Sequence, residues 1–117
     1  MNEIVERYFA CWNETDPRVR RKLVDETWAA DGYYIDPLAE ARGTEAIDAT
    51  IAAAQGQFPG LVFTRAGAVD AHHQQARFRW HLGPAGGESL VDGFDVIQAG
   101  EDGKITAVLG FLDRVPS

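Results

Sequence analysis

Apolar residues recur at helical spacing through the first half of the chain and at every second position through much of the rest. Over residues 2–14, Ile4, Val5, Tyr8, Cys11 and Trp12 fall on one helical stripe. Glu3, Glu6, Arg7 and Asn13 take the other side, and Phe9 is the one apolar residue off the stripe. Asp16-Pro17 is a helix start, with Asp as the cap and Pro at the first helical position. This predicts a second helix to about Ala30, buried through Val19, Leu23, Val24, Thr27 and Trp28. Asp31-Gly32 ends it and leads into a short strand over residues 33–37: two tyrosines, a β-branched residue, then Asp-Pro as a stop. Residues 37–43 read as an irregular connection. Thr44 is placed as the cap of a third helix, with Glu45 in its first turn, and Gly56 and Pro59-Gly60 as its end.

From Leu61 the period changes to two. One strand runs to about Asp70, and residues 71–74 turn the chain. Residues 76–82 then alternate cleanly: Phe78, Trp80 and Leu82 on one face, Arg77, Arg79 and His81 on the other. The glycine-rich stretch 83–87 is a hairpin loop, residues 89–99 form a strand, 100–103 a turn, and 104–114 the last strand. The order α-α-β-α-β-β-β-β, with long antiparallel hairpins after the helices, predicts an α+β fold with the helices gathered on one face of the sheet. The last two strands carry apolar residues on both faces: Val91, Phe94, Val96 and Ile97, then Ile105, Val108, Leu109, Phe111 and Leu112. Either the sheet curls around a core, or its outer face pairs with a second subunit.

Composition narrows the partners. The 117 residues are 45% hydrophobic and 25% charged, which suits one domain over residues 1–117 with a sizeable core. A formal net charge of −7 argues against nucleic acid, since phosphate contacts need a basic stripe. The basic cluster Arg18, Arg20, Arg21 and Lys22 reads as a solvated helix face. One cysteine, Cys11, leaves no internal disulfide and fits a reducing cytoplasm. The N-terminus opens straight into a helix, and no apolar run is long enough to cross a membrane; neither a membrane nor a signal peptide is expected.

Asp36 is the first chemical candidate. An Asp-Pro carboxylate at a strand end either caps a turn or faces a pocket, where aromatic neighbours strip it of water. The alternatives elsewhere are weaker. His72-His73 sits in a turn with no third ligand at suitable spacing, so no metal site is expected. His81 alternates away from the pocket face. Cys11 reads as a small core residue. Residues 83–87 lack the context of a phosphate loop.

Four stretches carry a family resemblance: residues 7–16 (Arg-Tyr-Phe-Ala-Cys-Trp-Asn-Glu-Thr-Asp), Tyr34-Ile35-Asp36-Pro37, Gly43-Thr44-Glu45-Ala46-Ile47 and Asp102-Gly103-Lys104-Ile105. With these the chain resembles the nuclear transport factor 2-like superfamily, in particular its polyketide-cyclase-like (SnoaL-type) and ketosteroid-isomerase-like branches. The resemblance implies a cone-shaped, strongly curved sheet with the three helices packed on its concave face, a cystatin-like α+β barrel, and a homodimer through the sheet's outer face. It implies no cofactor and a small apolar ring-like carbonyl compound as ligand.

By position, the resemblance makes Tyr8 an oxyanion tyrosine and Asp36 a proton-shuttling base. The second aspartate is Asp95 by an ungapped count from Gly103-Lys104. Asp92 fits by local context but needs an insertion, and the two point to opposite faces. Walls at Trp12, Trp28, Tyr33, Phe58, Phe63, Phe78 and Trp80 would exclude water. An Arg–Asp pair of the epoxide-hydrolase kind could be built from Arg79 and Asp95, but only with Arg79 turned inward. The plainer alternatives are a core tyrosine at position 8 and an Asp95 paired with Arg77 or Arg79. Two function classes follow: an isomerase, cyclase or dehydratase acting beside a carbonyl, and a non-catalytic small-molecule-binding or dimerisation module.

Overall fold

The stripe on the first helix needs an apolar surface to lie on, and the alternating strands supply one. In the computed structural model, described here over residues 1–116, α1 (Asn2–Asn13) and α2 (Pro17–Thr27) lead into β1 (Trp28–Ile35) and a three-residue β2 (Glu40–Arg42). Then come α3 (Thr44–Gln57), β3 (Val62–His72), β4 (Gln75–Gly83), β5 (Val91–Ala99) and β6 (Ile105–Arg114). The strands form one sheet in the order β2-β1-β6-β5-β4-β3. Only β1 and β6 run parallel, so the sheet is mixed and otherwise antiparallel. The predicted helix and strand order holds, with β2 added inside the connection read as irregular. Register breaks in β1, β3 and along β5–β6 bend the strands, as bulges do, and curl the sheet toward the helices.

The concave face carries the core. Ala76, Phe78, Trp80 and Leu82 of β4 are buried, and across the ladder they oppose Ile97, Asp95, Gly93 and Val91 of β5. The stripe Ile4, Val5, Tyr8, Cys11 and Trp12 of α1 is buried over them, as its spacing predicts. Asn13 fixes the far end of α1 to β3: its side chain exchanges two hydrogen bonds with the Phe63 backbone, at 2.7 and 2.9 Å.

Local details depart from the expectations. α2 ends at Thr27, not Ala30, because Trp28 takes extended backbone and pairs with Ile105 of β6. A β-branched and an aromatic residue at that junction favour the strand once a partner exists. Val19 is 45% exposed, and its expected place on the buried side goes to Arg20. Arg20 leaves the solvated basic face because Asp48 (2.8 Å) and Gln55 (2.9 Å) on α3 satisfy its guanidinium. Gly43, with φ +88°, caps α3 in place of Thr44, which is the first residue of the helix. On the convex face, Phe94 lies opposite Phe111 and Val96 opposite Leu109. Phe111 is 56% and Leu109 37% exposed. No helix is long and apolar enough to cross a membrane among the described residues.

Candidate active site

Tyr8 occupies the middle of the α1 stripe and is carried down onto β5. Its hydroxyl donates to Asp95 Oδ2 at 2.7 Å, with both residues buried. Burial pushes the Tyr8 hydroxyl well above the usual tyrosine range, and the Asp95 charge adds to the rise. Burial likewise raises the Asp95 carboxyl to about 6; the hydrogen bond from Tyr8 opposes the rise, and the charge of Asp36 adds to it. The alternation that buries Asp95 sends Asp92 to the convex face. There Asp92 meets Ser89, His81 (2.6 Å) and Arg114 (3.0 Å), and its carboxyl is lowered, chiefly by the Ser89 and His81 hydrogen bonds.

Asp36 directly follows β1 and does two things at once. Its Oδ1 accepts from the backbone N–H groups of Leu38 and Ala39, both at 2.8 Å, which closes the turn that Pro37 begins. Its Oδ2 accepts from the Tyr34 hydroxyl at 2.5 Å. The capped turn and the pocket are therefore one arrangement. Tyr34 is 4% exposed, and burial, followed by the charges of Asp95 and Asp36, raises its hydroxyl well above the usual range.

A glycine brings the two acids together. A Cβ at Gly110 of β6 would lie 2.9 Å from Asp95 Oδ1 and 3.3 Å from the Asp36 Cβ. Gly93 clears similar room one strand away, since a Cβ there would sit 2.0 Å from the Trp80 indole. The acids and the indole lie flat on the sheet because these two positions carry no side chain.

Above them is a cavity of about 620 Å³, within the range of small-molecule sites. Tyr8, Asp36 and Asp95 line it, as do Trp12, Phe58, Phe63 and Trp80 among the expected walls. Three other expected walls do not. Trp28 lies one layer deeper, against Tyr8 and Tyr34, at ring separations of 6.2 and 6.4 Å. Phe78 is 2% exposed and packs on Tyr8 and Phe9. Tyr33 faces away because Tyr34 faces in; it donates to Glu40 and lies under the Arg42 guanidinium, 4.7 Å from its ring centre.

Sequence reasoning passed over Tyr34, Phe9, Leu38 and Leu112 as lining residues. Tyr34 was detectable, since a residue two before Asp36 on a strand shares its face. Phe9 was visible as the apolar residue off the stripe.

The Nε1–H groups of Trp12 and Trp80 are buried without a hydrogen-bond partner. Trp80 N–H is near Asp95, and Trp12 N–H near Tyr8, without reaching hydrogen-bond geometry. Arg79 lies on the convex face and does not approach Asp95, and Arg77 pairs with Asp70 at 3.0 Å. Burial raises the Cys11 thiol to about 11. Among the described residues no three His, Cys, Asp or Glu side chains gather as metal ligands do.

Residues 5–108 match the family model of the SnoaL-like domain. A solved structure from Agrobacterium tumefaciens str. C58, named as a "putative isomerase of the SnoaL-like family", is 41% identical, with 95% of each chain covered and a TM-score of 0.90. A "putative polyketide cyclase" from Sinorhizobium meliloti shares the fold at 21% identity, covering 95% of this chain and 94% of its own, with a TM-score of 0.71. An NTF2-like protein of unknown function from Exiguobacterium sp. 255-15 does so at 22%, covering 94% and 98%, with a TM-score of 0.74. No curated protein matches the chain.

Proposed function

Since the chain belongs to the SnoaL-like family, we propose that its cavity binds a small ring-like carbonyl compound and moves a proton on the carbon beside the carbonyl. The observation that carries this reading is the pair of carboxylates meeting over Gly110, each hydrogen-bonded to its own tyrosine, in a cavity with apolar walls. We exchange the roles that family position suggests for the two acids. Asp36 is held by three donors and acts as a fixed negative charge. Asp95, raised to about 6, is ionised at neutral pH and returns a proton readily, which suits a general base.

In this scheme the C–H bond breaks, its proton forms an O–H bond on Asp95, and its electron pair enters the enolate. The proton on Asp95 weakens its hold on the Tyr8 hydroxyl, which then donates to the enolate oxygen. Return of the proton to a second carbon completes an isomerisation. The "putative isomerase" wording of the Agrobacterium relative agrees with this class.

Binding without turnover is the second reading, and the Tyr8–Asp95 hydrogen bond favours it, because it engages the carboxylate that would take the proton. A panel of cyclic ketones in heavy water separates the two. The expected result is accelerated deuterium uptake beside the carbonyl, lost in Asp95→Asn while ligand binding persists. Ligands that bind without any accelerated exchange would leave the binding module as the function.

The convex face also fits a homodimer through Phe94, Leu109 and Phe111, an apolar patch left open in the single chain.

A further inference from the structure

Among the described residues lining the cavity, the only charged side chains are Asp36 and Asp95; there is no Lys, Arg or His to meet an anion. The two acids lie on the sheet side, and Trp12, Phe63 and Trp80 form a continuous aromatic wall, with successive ring centres 5.3 Å apart. An aromatic face attracts positive charge and repels negative charge.

The polar groups differ along the cavity. The Tyr8 hydroxyl is committed to Asp95, but Trp12 and Trp80, 7% and 8% exposed, hold N–H groups with no acceptor. These donors call for a ligand oxygen. Asp36, next to the exposed rim residue Leu38, offers a carboxylate and no donor of its own. Its three donors, the Leu38 and Ala39 N–H groups and the Tyr34 hydroxyl, are all neutral, so its charge calls for a cationic partner at the remaining acceptor position.

From this division we infer that the ligand is a ring compound bearing a protonated amine, with the ammonium on Asp36 and the acceptor oxygen toward Trp12 and Trp80. Carboxylates and phosphates are excluded from the site. The inference rests on the cavity being the ligand site and goes further in fixing the charge of what enters. Ionisation of Asp95 strengthens the preference. The groups around that carboxylate are Tyr8 and Trp12 from α1, Tyr34 and Asp36 from β1 and its end, and Trp80 from β4; none is cationic.

The test uses three probes of one shape: 2-naphthylmethylamine, 2-naphthylmethanol and 2-naphthoate, titrated calorimetrically at pH 7.5. The amine is expected to bind at least about tenfold tighter than the alcohol, the equivalent of one charge-assisted hydrogen bond. The acid is expected to give no heat. Asp36→Asn keeps an acceptor for the Leu38–Ala39 turn, so circular dichroism should be unchanged. It should erase the advantage of the amine over the alcohol. Asp92→Asn, which removes a charge from the convex face, should leave the advantage intact.

Equal affinity for amine and alcohol, binding of the acid, or an advantage that survives Asp36→Asn would each overturn the inference, as would a failure of all three probes to bind. The ketone exchange experiment fails separately. Amine selectivity without proton exchange would remove the enzymatic reading and keep this one, and exchange on ketones without amine preference would do the reverse.

Discussion

Asp95→Asn tests the electrostatics of the site without any ligand. The wild-type carboxyl is raised from 3.8 to about 6, mainly by burial. The folded protein therefore holds a proton there that the unfolded chain has already released between those two values. Below the unfolded pKa the group makes its full contribution to stability, and the contribution is lost as pH rises through about 6. A shift of roughly two units at 1.36 kcal/mol each amounts to about 3 kcal/mol. Asparagine has nothing to titrate, keeps an acceptor for the Tyr8 hydroxyl, and nearly matches the volume. Carboxylates that do not interact with Asp95 are common to the two proteins, so their effects cancel in the difference. Urea unfolding followed by tryptophan fluorescence at pH 4 and pH 8 gives that difference. Because the unfolded chain has already lost more than half of this proton at pH 4, the variant should gain on the wild type by about 2.5 kcal/mol between the two pH values, whatever fixed offset the lost charge-assisted bond introduces. Stability profiles that stay parallel within about 1 kcal/mol would refute the claim that Asp95 is ionised at a desolvation cost, and the base assignment with it.

Other outcomes follow from the same geometry. Proton exchange should rise with pH through about 6 and then level off, since the ionised carboxylate takes the proton; a profile that falls over this range would reverse the assignment. Gly110→Ala places a methyl group 2.9 Å from Asp95 Oδ1, so ligand binding should drop sharply and stability fall by about 1–3 kcal/mol in urea unfolding. Arg20→Ala leaves Asp48 and Gln55 without their buried partner and should cost about 3 kcal/mol in the same assay. Leu109→Asp on the convex face should convert a dimer to a monomer in light scattering, and a wild type already monomeric at micromolar concentration would remove the dimer proposal.

What could be read from the sequence was whatever depends on parity and local stops. Alternation on β4 separated Phe78, Trp80 and Leu82 from Arg77, Arg79 and His81, and the odd spacing of Asp92 and Asp95 meant that only one could face Tyr8. What could not be read depends on partners far along the chain. Trp28 looks like the end of an amphipathic helix until Ile105 arrives to pair with it. Arg20 looks solvated because its partners lie 28 and 35 residues away. β2 is Glu-Ala-Arg, with the small Ala41 as its one apolar residue, too short a run to signal a strand until β1 offers an edge. The glycines at 93 and 110 carry no pattern; their meaning is the room they leave for an indole and a carboxylate.

The place of β6 in the sheet has a consequence for biosynthesis. It lies between β1 and β5, so the hydrogen bonds joining the first half of the sheet to the second all pass through residues near position 110. Until that segment leaves the ribosome, the edges of β1 and β5 that it pairs with have no partner. The closing contacts link positions some 75 residues apart, a separation that slows folding and leaves apolar strand edges uncovered meanwhile. Synthesis therefore makes the joining strand after every strand it joins, and a chain ending before residue 105 would lack the one strand that links β1 to β5.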